Sequence, residues 1–397
     1  METQLSDRVQ RIKTSATLAM ATKAAALKKQ GINVIDLSTG EPDFDTPEHI
    51  KQAAIAAIDR GFTKYTAIGG VLELREAIVQ KFNRDNQLNY APNQILVSNG
   101  GKQSFYNLAA ALLNPGDEVI IPAPYWVSFP DMVLLSDAKP IIAFAGIDDN
   151  FKISPAQLEK VITSKTRLLV LNSPCNPTGV TYTHQELVAL GKVLAKHPNI
   201  LIATDDMYEK IRWGTEPFCN ILMACPDLYE RTLVLHGVSK TYAMTGWRIG
   251  FAAGPVKIIQ AMTSIQSQST SNPCSISQMA AKAALEGDQT CVATMVDAFK
   301  RRHDYFIPAL NTIEGMECRL GNGAFYAFPK VEGLMKRLGL KDDLALAEFL
   351  LTEAAVAVVP GTPFGAPGYI RLSFATSLDN LQETIKRLQA IDPKIGS

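Results

Sequence analysis

The sequence has no surplus of either charge: 39 lysines and arginines face 39 aspartates and glutamates. Without a net field, neither nucleic acid nor an anionic membrane is an expected partner, and a small molecule is. No apolar run is long enough to cross a bilayer. The opening stretch METQLSDRVQRIKTSAT also lacks a continuous apolar core behind its charges, so a cytoplasmic location is expected. The six cysteines, at 175, 219, 225, 274, 291 and 318, form no CxxC pair, and the five histidines form no HExxH, so no metal site is expected. Repeats, low-complexity tracts and flexible linkers are missing too.

What is present is apolar material, 47% of 397 residues, more than one core absorbs, so two domains, or one large domain with a smaller satellite, are expected. From about residue 70 to 255, strand-like runs alternate with amphipathic helical stretches, the pattern of a parallel sheet with helices on both faces. The expected strands are QILVS (94–98), EVIIP (118–122), RLLVLN (167–172), ILIAT (200–204) and RTLVLH (231–236). From about 256 to 315 the pattern is long helices without a strand between them. Further strands are expected at 324–330, 356–361 and 369–374, before a closing helix from 378 to 391. The expected fold class is α/β. A large domain over 48–295 has a mostly parallel central sheet, and a smaller α+β domain joins 1–47 to 296–397, because the N-terminal segment cannot fill a core of its own.

Ligands of open α/β sheets collect at the carboxyl ends of strands, and the chemistry-bearing segments all lie there. HGVSKTYAMTGWRIGF (236–251) holds Lys240 eight residues before Arg248. An amine and a guanidinium so spaced can grip an aldehyde and a phosphate of one molecule, and pyridoxal phosphate has both, joined to its enzymes through a lysine Schiff base. Two solvated surface charges are the plainer reading of such a pair. Gly100 and Gly101 open a helix whose bare N–H groups can hold a phosphate, or simply begin the helix. Asp205, at a strand end, can keep a pyridine nitrogen protonated or cap a helix, and Tyr208 can donate to the ring's phenolic oxygen. Asp206 is given no ring contact. Asn176, in the turn-rich NSPCNPTG (172–179), suits the same oxygen. Trp126 offers a face for stacking, or is core. Arg371 sits inside the apolar strand YIRLSF and needs a partner: a substrate carboxylate, or a structural ion pair. Cys175, beside these residues, reads as a small semi-buried side chain.

Taken together, GEPDFDTP (40–47), KYT (64–66), GGKQ, APYWVSFPDM, NSPCNPTG, DDMYEK, GVSKTYAMTGWRIGF and RLSFATS resemble, in order and over essentially the whole chain, the aspartate aminotransferase family of fold type I pyridoxal-phosphate enzymes. The resemblance is to its bacterial subgroup, some members of which also accept prephenate. It implies that Lys240 is the Schiff-base lysine, Asp205 the pyridine-nitrogen partner, and Tyr208 with Asn176 the ligands of the ring hydroxyl. It implies that Trp126 stacks on the ring, that Arg248 with the amides of Gly101 and Lys102 takes the phosphate, and that Arg371 with the backbone of Gly40 takes the α-carboxylate. Lys102 is implied for the second carboxylate and Lys13 for prephenate, although Thr14 stands where a proline is common. Tyr65 is implied to reach the phosphate of a neighbouring subunit, which makes the active unit a homodimer with shared sites. The implied activity is ping-pong transfer of the amino group of L-aspartate to 2-oxoglutarate, with amino acids and 2-oxo acids as the partners. Alternatives are an aromatic or alanine aminotransferase, a carbon–sulfur lyase, or a non-catalytic regulatory domain that binds the cofactor. Lys102 favours an acidic substrate, and every implied catalytic position is occupied.

Overall fold

The computed structural model describes residues 3–12 and 16–391. Twelve strands are, in chain order, β1 (Ile35–Asp36), β2 (Ile95–Ser98), β3 (Glu118–Ala123), β4 (Lys139–Phe144), β5 (Thr166–Asn172), β6 (Leu201–Asp205), β7 (Thr232–Gly237), β8 (Gly250–Ala253), β9 (Tyr326–Ala327), β10 (Val356–Ala357), β11 (Val359–Pro360) and β12 (Ile370–Ser373). Seven of them form one sheet in the order β2-β8-β7-β6-β5-β3-β4. Its central strands are continuous runs of Leu, Ile, Val and Ala because helices cover both faces, so alternation has no solvent side to serve. Only β8 runs against its neighbours, between β2 and β7.

Two strands of this sheet are absent from the pattern expected of the sequence. β4 is an edge strand containing Pro140, which cannot donate to a ladder and is readily tolerated at such a margin. β8 reads Gly-Phe-Ala-Ala, with little intrinsic strand preference; pairing on both sides makes it a strand. The expected strands at 324–330 and 356–361 shrink to β9 and to the pair β10 and β11. The run 356–360 serves two sheets: β10 pairs in parallel with β1, and β11 pairs antiparallel with β12.

Between residues 256 and 315 the helices Val256–Ser267, Ser275–Glu286 and Thr290–Leu310 follow one another. The last passes through the expected boundary at 295/296 without a break. Its Val292 packs with Phe82 and Phe251 beside the large sheet, while Phe299 and Phe306 pack with Leu350 and Phe374. Met20, Ala24, Val34 and Leu37 join that second core, which explains how the N-terminal segment is held. The closing helix Leu378–Gln389 places Leu381, Ile385 and Leu388 on one buried stripe of this core. Among the described residues no helix is long and apolar enough to cross a membrane.

Candidate active site

The antiparallel pairing of β7 with β8 builds the site. Gly237 pairs with Gly250, so everything between them forms a loop above one end of the sheet, and that loop carries both Lys240 and Arg248. On the other side of β8, Ser98 of β2 pairs with the same Gly250, which brings the Gly100–Gly101 turn beneath Arg248. Gly100 has φ of 86°, and a Cβ there would collide with the Arg248 guanidinium. A Cβ on Gly250 would strike the backbone of Gly100 and Gly101. The helix Gly101–Leu112 starts at this turn, and its first N–H groups have no intrahelical acceptor. Three elements thus converge on a cradle for an anion.

A cavity of about 280 Å³ opens in front of the cradle. Gly40, Gly101, Lys102, Trp126, Asn176, Asp205, Tyr208, Lys240, Arg248 and Arg371 all line it. Lys240 Nζ donates to Gly40 O at 2.6 Å. Burial lowers its pKa to about 8, helped by Arg371 and Arg248 and opposed by Glu41 and Asp205. Asp205 ends β6 with one oxygen, Oδ1, accepting from Met207 N–H at 3.2 Å, and the other free of protein donors among the described residues. It therefore caps the turn and still offers a carboxylate to the cavity. Burial raises its pKa to about 7 against the pull of that N–H and of Lys240. Asp206 points elsewhere, accepting from Thr204 Oγ1 at 2.7 Å and from Asn220 Nδ2 at 2.6 Å.

Arg371 is 3% exposed. One amino group donates to Asn176 Oδ1 at 3.1 Å, the other to Ser38 O at 2.6 Å, and Nε is buried without a partner. The ion pair that the sequence leaves open has no acidic partner among the described residues. The guanidinium lies instead 4.6 Å from the Tyr326 ring centre, and burial lowers its pKa. A cation so placed is complementary to an incoming carboxylate. Tyr208 OH meets Tyr326 OH at 2.7 Å, and burial drives the Tyr208 pKa well above its ordinary value. Trp126 stands edge-on to Phe129, centroids 5.1 Å apart, and the Lys102 ammonium lies 5.3 Å from the Trp126 ring at the cavity mouth. Desolvation and Arg248 lower the Lys102 pKa. Among the described residues, four cations against one lining carboxylate suit an anionic substrate.

The family profile described as aminotransferase class I and II matches residues 32–388. The chain belongs to the class I and II aminotransferases. It is 58% identical to an aspartate/prephenate aminotransferase of Nitrosomonas europaea, across 98% of this chain and 99% of that protein. It is 51% identical to one from Cereibacter sphaeroides, across 97% and 98%. Among solved structures it resembles an aspartate aminotransferase from Rhizobium meliloti, with a TM-score of 0.94 and 44% identity over 98% of both chains. It also resembles the Thermus thermophilus aspartate aminotransferase with maleate, with a TM-score of 0.92 and 41% identity over 98% and 99%.

Of the described residues singled out for the site, Tyr65 is not in this cavity. Tyr65 is 91% exposed and projects away from the surface of its own chain, while Lys13 lies outside the described residues. The aminotransferase cavity also has walls that sequence reading missed. Asn172, the register partner of Asp205 at the end of β5, donates to Asp205 O at 2.9 Å and accepts from Asn176 N–H at 2.9 Å. It opens the NSPCNPTG motif, so its signal was there to be read. Tyr326 gave no signal, because a tyrosine in the apolar run AFYAFPK reads as core. Among the described residues no cluster of His, Cys, Asp and Glu is arranged to hold a metal ion.

Proposed function

We propose that this chain is a pyridoxal-phosphate-dependent aminotransferase that moves the amino group of L-aspartate to 2-oxoglutarate, giving oxaloacetate and L-glutamate, and that also transaminates prephenate to arogenate. The observation that carries the reading is the meeting of Lys240, Asp205 and the unpaired buried Arg371 in one cavity beside an anion cradle. The names of the full-length relatives support the substrates.

The residues present fit the cofactor. The N–H groups of Gly101 and Lys102 with Arg248 suit its phosphate, Trp126 its ring face, Asp205 its ring nitrogen, and Tyr208 with Asn176 its phenolic oxygen. When bound, it supplies an electron-accepting ring that stabilises the charge left on the substrate α-carbon. The chain's residues do the rest. Arg371 and the Gly40 backbone hold the substrate α-carboxylate and so aim the α-hydrogen at Lys240. Lys240 Nζ, with a pKa of about 8, is close to the balance a proton shuttle needs: it would take the α-proton and hold it for return on the same face. Lys102 receives the second carboxylate of a dicarboxylic substrate, and Lys13 is the residue assigned to prephenate. Tyr65 reaches the phosphate bound by a second copy, so the working unit is a homodimer. Residues 48–295 form one unit and 1–47 with 296–397 the other, closing over the substrate to keep water out. Six free cysteines support a reducing, cytoplasmic setting.

A donor and acceptor panel tests the whole: aspartate, alanine and phenylalanine as donors, 2-oxoglutarate and prephenate as acceptors, each with wild type and Lys240→Ala. Turnover of aspartate well above alanine, lost with the visible cofactor band in the variant, is the expected result. Equal use of alanine and aspartate, or an unchanged band in Lys240→Ala, overturns it.

A further inference from the structure

Behind the cavity floor lies a cluster of charge that the reaction does not use. Lys81, Glu209 and His236 are 2%, 3% and 3% exposed. They come from three separate elements: the helix Leu72–Asn86, the turn after β6, and the end of β7. Glu209 Oε2 accepts from Lys81 Nζ and, at 2.9 Å, from His236 Nε2. Lys81 Nζ donates as well to Asn86 Oδ1 at 2.8 Å, and Lys210 Nζ approaches Glu209 Oε1 at 3.8 Å. The histidine is held at both ring nitrogens and in its tilt. Nδ1 lies 2.7 Å from Gly237 N and 3.1 Å from Gly237 O, and Nε2 faces the glutamate. Its ring stacks on Phe251 at 5.3 Å with a 3° interplanar angle, and Phe82 closes the edge at 6.4 Å.

We propose that Lys81, Glu209 and His236 form a buried clamp that sets Asp205 and Tyr208 in place relative to Lys240, acting as positioning residues for the cofactor site. Chain geometry gives the clamp its leverage. Glu209 follows Asp205 by four residues and adjoins Tyr208, and His236 precedes Lys240 by four. The Glu209–His236 hydrogen bond therefore joins the two loops that carry the proposed ring partners and the proposed lysine. Asp206 N–H, donating to Leu235 O at 2.9 Å, is a second rivet between the same loops. Lys81 anchors the pair to a helix. Buried charges of this kind add little to stability compared with an apolar replacement, and their best use is to fix register, because a directional network tolerates one arrangement where a greasy contact tolerates several. Burial by itself would raise the Glu209 pKa, yet Lys81 and His236 outweigh it and hold the carboxyl ionised, while burial and Lys81 lower the His236 pKa and keep the ring neutral.

The inference rests on the proposed cofactor site, and two variants test it in the holoenzyme. His236→Phe keeps an aromatic ring against Phe251 and removes the donor to Glu209 together with the acceptor for Gly237 N–H. The double variant Lys81→Met/Glu209→Gln removes both charges together, so no lone charge is left to unfold the chain. Both are expected to fold, by far-ultraviolet circular dichroism, and to bind pyridoxal phosphate. Each should then show a reduced visible circular dichroism signal per bound cofactor. A fall in kcat by about 10- to 100-fold is expected with KM for aspartate little changed, since Arg371 and Lys102 lie outside the clamp. Wild-type visible dichroism and wild-type kcat in either folded variant overturn the clamp and leave the proposed function standing. A wild-type chain that develops no visible band with pyridoxal phosphate overturns the cofactor reading, and the clamp with it.

Discussion

Asp205, Lys240 and Arg371 are charged groups kept where charge is costly, and that cost can be measured. The native Asp205 carboxyl holds its proton up to a pH of about 7, whereas the unfolded chain releases it near 3.8. The native state therefore binds more protons than the unfolded state between those values, and this residue's contribution to stability falls as pH rises, by about 1.4 kcal/mol per pH unit. Asparagine carries no such penalty. Asp205→Asn should raise the melting temperature of the cofactor-free chain at pH 8, with a smaller gain at pH 5, while transamination drops roughly 10²- to 10³-fold, the scale of one aligned electrostatic partner. Scanning calorimetry at the two pH values, alongside activity of the loaded enzyme, checks both halves. At the cavity mouth, Lys102→Ala should raise KM for aspartate by the equivalent of about 1–3 kcal/mol and leave a neutral donor nearly unaffected, because only the dicarboxylate loses a charge-assisted bond. Equal losses for both donors would remove Lys102 from the specificity role.

At the scale of elements, β8 decides the site. It is the one strand that runs against the sheet, it is too small-featured to be seen in a pattern, and its direction stacks Arg248 over the Gly100–Gly101 turn. Gly250→Ala would press a methyl group into the backbone of that turn. Relief by shifting the turn costs about 1–3 kcal/mol of overpacking and should weaken pyridoxal phosphate binding about tenfold or more, measured by equilibrium titration of the cofactor-free protein. The strands β3, β5, β6 and β7 were legible because their apolar runs are long and end in polar loops. β4 and β8 were not, since a proline margin and a Gly-Ala segment become strands only when a neighbour supplies the ladder.

For the whole molecule the question is what Tyr65 is for. A tyrosine 91% exposed has little to pack against on its own chain, and one buried amide holds the loop that follows it: Gln278 Nε2 donates to Thr66 Oγ1 at 3.1 Å and its Oε1 accepts from Val71 N–H at 2.8 Å. A pinned loop with an exposed tip suits presentation to a second copy. Mixing Tyr65→Ala with Lys240→Ala should therefore raise activity per intact lysine above that of Tyr65→Ala alone. In a mixed dimer, the subunit that keeps Lys240 receives an unaltered Tyr65 from its partner. Simple addition of the two parents' activities after subunit exchange would argue against shared sites.

The order of the motifs, the alternation of strand and helix, and the residue types able to bind phosphate, ring and carboxylate were written in the sequence, because each is a local matter of periodicity, turn chemistry and functional groups. The candidate residues Lys240, Asp205, Asn176 and Arg371 were legible in that way, as a polar residue at a strand end or a cation in an apolar strand. Only the tertiary structure decided between alternatives that depend on neighbours far along the chain. It gave Arg371 no acidic partner among the described residues, let Asp205 both cap a turn and face the cavity, and brought Tyr326 and Asn172 into the wall. The physical reason is that burial and pairing are properties of the packed chain: they set which charges go uncompensated, and an uncompensated charge in a cavity is what a substrate can answer.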